Sequence, residues 1–278
     1  MTYAVSDIHG YYEKYLAMLE KIRFSENDTL YVLGDVIDRG GEGIRILQDI
    51  MERSNVKMLM GNHEKMAIDA LLVIAERDHT FFFRKLFFRE YSDNSEHSDN
   101  IEISDSRDKT GKGAPSQNRR FRLLRSEFDV LMKRSSADIW LCNGGVPTSD
   151  SFFGLSLPDA EMVWRFLTSL PLYMEIEAGG KDLVLVHSGF DNFYPNKPLD
   201  RYDEEELLWC RPTTDTVYFE DKYTIFGHTP TRALTNSFGD KEPSKIFRND
   251  KIFDIDCGCG SMDRLGCLCL EDFSEYYV

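Results

Sequence analysis

Apolar and polar positions alternate along the first 75 residues in blocks of two lengths. Short apolar runs, TYAVS from Thr2, TLYVLG from Thr29 and VKMLMG from Val56, read as buried strands. Between and after them lie longer segments with apolar residues at helical spacing, over about 12–23, 43–52 and 63–75. Strand, helix, strand, helix, strand, helix predicts parallel βαβ units. Each strand runs straight into a polar cluster: SDIHG, GDVIDRG and GNHE. Ligands of open α/β sheets bind at the carboxyl ends of the strands, so the three clusters are expected along one sheet edge.

Past residue 80 the pattern changes. Thr80–Tyr91 is aromatic, and Phe83 and Phe87 at helical spacing predict a lid helix packed on the core. Residues 92–118 are polar, with Gly and Pro, and predict a long surface insertion; a helical pattern follows over about 119–133. The second half is rich in strand-like runs ended by Gly, Asp or Asn: DIWLCNGG, LYMEIEAG, DLVLVHSG, YTIFGHTP, KIFRNDKIFDIDCG and RLGCLCLED. RNDK reads as a hairpin turn. These runs predict a second, mixed sheet packed on the first. No repeat or linker interrupts the chain, so residues 1–278 are expected to form a single α/β domain.

Charge changes the picture of what can bind. The chain carries 33 basic and 48 acidic side chains, a formal charge of −15, which argues against a nucleic-acid-binding surface. An anionic substrate would need local positive charge from arginines or metal ions. The longest apolar run, Ala70 to Ala75, is too short to span a bilayer, and the amino-terminus enters the first strand with no visible presequence, so a cytoplasmic protein is expected. Its six cysteines are then free thiols. Cys257 and Cys259, and Cys267 and Cys269, are spaced more tightly than zinc knuckles and are expected as small buried residues of the second sheet. His79 and His97 are expected at the surface.

The candidate chemistry sits at strand ends. Asp7, His9, Asp35, Asn62, His187 and His228 each end a predicted strand, beside or near a glycine. A single aspartate there is ordinarily a turn or a helix cap, and a single histidine a satisfied polar group. Six such residues together form a donor set of carboxylate, amide and imidazole suited to two ions of the manganese, iron or zinc type, with Asp35 able to bridge them.

SDIHG, GDVIDRG and GNHE at intervals of about 25 residues, followed by the isolated VHSG and GHTP, resemble the phosphoprotein phosphatase branch of the calcineurin-like metallophosphoesterases. LWCRP (Leu208–Pro212) is similar to the bacterial serine/threonine phosphatases within it and to the symmetrical dinucleoside-tetraphosphate hydrolases. The resemblance covers residue 3 to about 270 without the insertion, and implies two mixed β-sheets packed as a sandwich flanked by helices, the four-layer αββα fold. It implies that Asp7, His9 and Asp35 hold one divalent ion and that Asp35, Asn62, His187 and His228 hold the other, manganese first, with iron or zinc as alternatives. His63 would be the general acid, Asp38 its partner, and Arg39 and Arg211 the phosphate clamp. The implied reaction is in-line attack of a hydroxide held between the metals on a phosphoserine or phosphothreonine monoester, in a phosphorylated protein or small molecule. Ser6 and Ser188 depart from the family pattern at positions that supply no ligand.

Two other activities remain open at this point. A symmetrical dinucleoside-tetraphosphate hydrolase would use the same centre on a phosphoanhydride, and the charge of −15 disfavours a nuclease. A non-enzymatic scaffold predicts a broken ligand set, whereas this one is intact. The oligomeric state is left open.

Overall fold

Alternation along the first strand decides where each side chain goes. In the computed structural model, which describes residues 1–77, 136–261 and 263–278, β1 (Thr2–Val5) turns Tyr3 and Val5 toward one core and Ala4 toward another. β2 (Thr29–Val32) and β3 (Val56–Met58) continue this sheet in parallel, Tyr3 opposite Leu30 and Leu30 opposite Val56. The crossovers are α1 (Tyr12–Lys21), α2 (Gly43–Glu52) and the start of α3 (Asn62–Arg77), close to the predicted helices. α2 shows why they pack: Ile44, Ile46, Leu47 and Ile50 are buried at helical spacing against the sheet. The expectations for Phe83, Phe87, residues 92–118, the helix over 119–133, His79 and His97 fall outside the described residues.

The chain resumes with α4 (Ser136–Trp140), a π-helical turn over Leu141–Gly145, α5 (Val146–Phe153) and α6 (Leu157–Thr168). This corrects the reading of DIWLCNGG as a strand: it forms the end of a short helix that buries Ala137 and Trp140, followed by the π-helical turn. α6 was also missed, although Ser156 caps it by accepting from the Asp159 N–H at 3.3 Å.

The second sheet contains β4 (Tyr173–Ala178) and β5 (Lys181–Val186), then, after α7 (Glu204–Leu208), β6 (Tyr223–Phe226). After α8 (Thr231–Leu234) come β7 (Phe247–Asn249) and β8 (Ile252–Asp254), the predicted hairpin, with Asn249 opposite Ile252. The strand order is β4-β5-β6-β8-β7, with β5, β6 and β8 parallel. The last strands, β9 (Gly266–Cys269) and β10 (Glu275–Tyr277), return to the first sheet, whose order is β10-β9-β1-β2-β3. Cys267 and Cys269 therefore lie in the first sheet, and Cys257 and Cys259 in the loop after β8, not in the second sheet as expected. All six cysteines are free, and five of them are buried.

Both sheets are mixed, and they pack face to face through Ala4, Leu33, Leu59, Leu183, Leu185, Ile225 and Phe253. Helices cover the outer face of the first sheet. The outer face of the second is covered more thinly, by α7 and aromatic loops bearing Phe190, Tyr202 and Tyr218. The expected sandwich of two mixed sheets flanked by helices is the observed fold. Among the described residues no helix is long and apolar enough to cross a membrane.

Candidate metal centre

The loops that leave β1, β2 and β6 share an unusual backbone. Asp7, His9, Asp35, Asp38, Arg39 and His228 all have positive φ, between 51° and 70°. They make up six of the eleven non-glycine residues of that kind among those described, so the strain gathers at one site. Close approach makes it feasible. A Cβ on Gly34 (φ 92°) would stand 2.5 Å from Gly61 Cα, so the ends of β2 and β3 can approach this closely only as glycines.

These turns bring all six predicted donors together. His9 Nδ1 donates to Ile37 O (3.1 Å), leaving Nε2 as a lone pair 3.9 Å from Asp7 Oδ1 and 3.7 Å from Asp35 Oδ2. The other Asp35 oxygen, Oδ1, lies 3.5 Å from His187 Nε2, so one carboxylate faces two histidine groups. Asn62 Oδ1 lies 2.9 Å from both His187 Nε2 and His228 Nδ1. Donor atoms of His9, Asp35 and His63, and again of Asp35, His187 and His228, fall within 4.8 Å of one another. His63 enters the first of these groups in addition to its expected role.

His63 Nδ1 stands 2.7 Å from Asp38 Oδ2. Its Nε2 faces the centre, 3.8 Å from Asp35 Oδ2, and accepts from Arg39 Nη2 at 3.2 Å. Burial works against a charged His63 imidazole, but the charge of Asp35 and the hydrogen bond that His63 donates to Asp38 outweigh it, and the pKa is raised. Arg39 and Arg211 are exposed at the mouth of the site, Arg211 reaching Thr229 Oγ1 at 3.4 Å, next to His228.

Two further residues were not singled out from the sequence. Glu64 is fully buried and accepts four backbone N–H groups, those of Asp35 (2.8 Å), Gly61 (3.0 Å), Val36 (2.9 Å) and Ile37 (3.2 Å). Its one signal was its place in GNHE. Trp140 donates its indole N–H to both oxygens of Asp38, at 3.0 Å each, across 102 residues of sequence, and nothing local marks it. The two serines that depart from the family pattern also have partners. Ser6 Oγ donates to Asp7, and Ser188 Oγ donates to Leu207 O at 2.8 Å.

Comparison with known proteins follows the same residues. Residues 2–232 match the calcineurin-like phosphoesterase family. The chain belongs to that family. Among curated relatives, the symmetrical bis(5'-nucleosyl)-tetraphosphatase of Buchnera aphidicola subsp. Baizongia pistaciae is 40% identical over 65 residues, 23% of each chain. The enzyme of the same name from Wigglesworthia glossinidia brevipalpis is 37% identical over 76 residues, 27% of each. The matched stretch thus spans about a quarter of the length of these relatives. Among solved structures, a candidate diadenosine tetraphosphatase superposes with a TM-score of 0.56 at 15% identity, covering 100% of this chain and 92% of that one. A cold-active protein-tyrosine phosphatase of a Shewanella species superposes at 0.50 and 14% identity, covering 99% and 79%. At such identities the likeness is one of fold.

Calcineurin-like phosphoesterases depend on two metal ions, and the residues here fit such a centre. His187 Nδ1 is committed to Leu33 O at 2.7 Å, which in a neutral imidazole turns the Nε2 lone pair toward the Asn62 carbonyl oxygen at 2.9 Å. Such opposed acceptors are relieved by a cation. His228 Nε2 is buried with no partner among the described residues. Burial, followed by the fields of neighbouring cationic groups, holds His9 well below the usual imidazole range and His228 down to about 2, leaving both neutral as ligands must be. Burial also pushes the Asp35 carboxyl well up, and Asp7 and Glu64 add to the effect. Two divalent ions would offset this packing of carboxyls.

Proposed function

We propose that this metallophosphoesterase hydrolyses phosphoserine and phosphothreonine monoesters at a two-metal centre. The observation that carries the reading is His63, braced by Asp38 at 2.7 Å, with its other nitrogen 3.8 Å from the carboxylate shared by both donor groups. Asp7, His9 and Asp35 would hold one ion, and Asp35, Asn62, His187 and His228 the other. When bound, the ions supply Lewis acidity toward the phosphoryl oxygens and ionise the attacking water.

The chain's own side chains supply binding and the proton. Arg39 and Arg211, at the mouth, take the non-bridging phosphate oxygens in the fork geometry that guanidinium groups favour. Arg39 rests against His63 Nε2 in the structure, so turning to phosphate frees that nitrogen to carry a proton. His63 then gives the proton to the leaving oxygen, while Asp38 keeps the ring aimed through Nδ1. The products are an alcohol and inorganic phosphate.

A second reading, symmetrical cleavage of a dinucleoside tetraphosphate, is favoured by the names of the curated relatives. The same residues would serve, with a nucleoside diphosphate as leaving group. A side-by-side assay with added manganese separates the two, comparing phosphate release from a phosphoseryl or phosphothreonyl peptide with cleavage of diadenosine tetraphosphate to two diphosphates. Preference for the peptide supports the first reading, and preference for the dinucleotide replaces it with the second. Inactivity on both, or a near-normal rate in His63→Asn or Asp35→Asn, overturns the assignment of roles.

A further inference from the structure

His63 can serve as the acid only while Asp38 keeps its carboxylate turned toward Nδ1, and Asp38 sits in a backbone that needs help. It and Arg39 are consecutive non-glycine residues at φ 70° and 64°, a region that L residues rarely adopt. One stretch, Trp140–Thr148, supplies that help. The Asp38 N–H donates to Thr148 Oγ1 at 2.8 Å and the Arg39 N–H to Gly144 O at 2.9 Å. The Trp140 indole N–H is centred on the carboxylate, 3.0 Å from each oxygen. Both side chains are fully buried.

Packing alone asks only for the ring of Trp140, which a phenyl group would largely replace. The N–H placed between two carboxylate oxygens does something a ring does not: it resists rotation of the carboxylate away from His63. Gly145 points the same way. Its backbone, at φ −72° and ψ −8°, is open to any residue. A Cβ there would nevertheless stand 2.6 Å from the indole Cε2 and Nε1, so the glycine leaves room for the indole to reach Asp38.

We infer that Trp140 is a positioning residue for phosphoryl transfer, its indole N–H locking the Asp38 carboxylate onto His63 so that the leaving-group proton stays aimed. The inference rests on the proposed role of His63. It separates this hydrogen bond from ordinary core packing because only the former acts on one half of the reaction, departure of the leaving group.

The test uses the full chain with manganese and two substrates that differ in their need for a proton. Phenoxide leaves poorly without one, whereas 2,4-dinitrophenoxide leaves as the anion. In Trp140→Phe, kcat on phenyl phosphate is expected to fall by about tenfold or more, a share of the ~10²–10⁴ that a general acid supplies. On 2,4-dinitrophenyl phosphate it should fall by less than about threefold, with KM unchanged for both, because Trp140 touches no substrate. Gly145→Ala, which keeps the Trp140 side chain but displaces its indole, should show the same selectivity. Equal losses on the two substrates overturn the inference in favour of a structural role.

A second readout needs no activity. In the ¹H–¹⁵N spectrum of the metal-free protein, one of the three indole signals, identified by its absence from Trp140→Phe, should be shifted downfield and protected from exchange. It should move in Gly145→Ala. A freely exchanging Trp140 indole overturns the inference even if the enzyme is active. A wild type inactive on both esters overturns the phosphomonoesterase reading on which this inference rests, and the inference with it.

Discussion

Replacing Glu64 with glutamine tests whether the centre is built on backbone as much as on ligands. The substitution keeps the side-chain volume and opens no cavity. It leaves one oxygen for two of the four N–H groups now accepted from Asp35, Gly61, Val36 and Ile37. The other two would face an amide NH₂. A buried N–H left without an acceptor costs about 1–3 kcal/mol, so two cost about 4 kcal/mol, before counting the charge assistance lost at the remaining pair. For a chain of this size Tm moves by roughly 2–4 °C per kcal/mol, so Glu64→Gln should melt roughly 8–16 °C lower. The assay is calorimetry with and without manganese, with Glu205→Gln, at an exposed position, as the control that should barely move. The Asp35 N–H is one of those released, and Asp35 sits at φ 54°, so manganese affinity should fall as well. A Gln variant within about 2 °C of wild type and binding manganese normally would refute the reasoning.

Three other outcomes follow from the site. The His63 pKa is raised, since the pull of burial downward is outweighed by the charge of Asp35 and the hydrogen bond and charge of Asp38; the acid form is present below that pKa and lost as pH climbs through it. Asp38→Asn removes one of the raising causes, so the alkaline limb of the kcat profile should move to lower pH, and a limb that stays put or moves up contradicts the assignment. Arg211→Ala should raise KM for a phosphate ester by about tenfold or more, the worth of a charge-assisted hydrogen bond, with a smaller effect on kcat; an unchanged KM removes Arg211 from the clamp. Chelation should abolish turnover and lower Tm, with both restored by manganese, since a ligand at a hundred times its Kd stabilises by about 2.7 kcal/mol; a melting curve indifferent to chelator would sink the two-metal reading.

Much of the site was legible because strand ends are. A run such as TLYVLG followed by GDVIDRG places its polar residues at the sheet edge whatever the tertiary detail, and parallel pairing of β1, β2 and β3 then aligns three such ends. His187 and His228 follow from the same rule in the second sheet, where β5 and β6 are parallel. The arithmetic of strands does not tell which sheet a late strand joins. RLGCLCLED reads equally well in either, and its place beside β1 is decided by antiparallel pairing of Tyr3 with Cys269. Nor does local pattern separate a short buried helix from a strand. In DIWLCNGG the deciding fact is the long-range contact of Trp140 with Asp38, and no local periodicity encodes it.

What sequence left least visible is how one loop is held, and that loop couples the two halves of the chemistry. From Asp35 to Gly40 every backbone N–H is committed. Those of Asp35, Val36 and Ile37 go to Glu64, that of Asp38 to Thr148, that of Arg39 to Gly144, and that of Gly40 to His9 O at 2.8 Å. Glu64 belongs to α3, the helix that also carries Asn62 and His63. Thr148 and Gly144 belong to the stretch that carries Trp140. The loop is therefore gripped at its Asp35 end by the element that presents Asn62 and His63, the proposed metal donor and acid, and at its Asp38 end by the element that carries Trp140. Only Val36 and Ile37 separate Asp35, the proposed shared metal ligand, from Asp38, the proposed partner of the acid, so the same grip holds both carboxylates. A hydrolase that must place an attacking water and a leaving-group proton on opposite sides of one phosphorus gains from that rigidity, because its rate depends on both being in position at once.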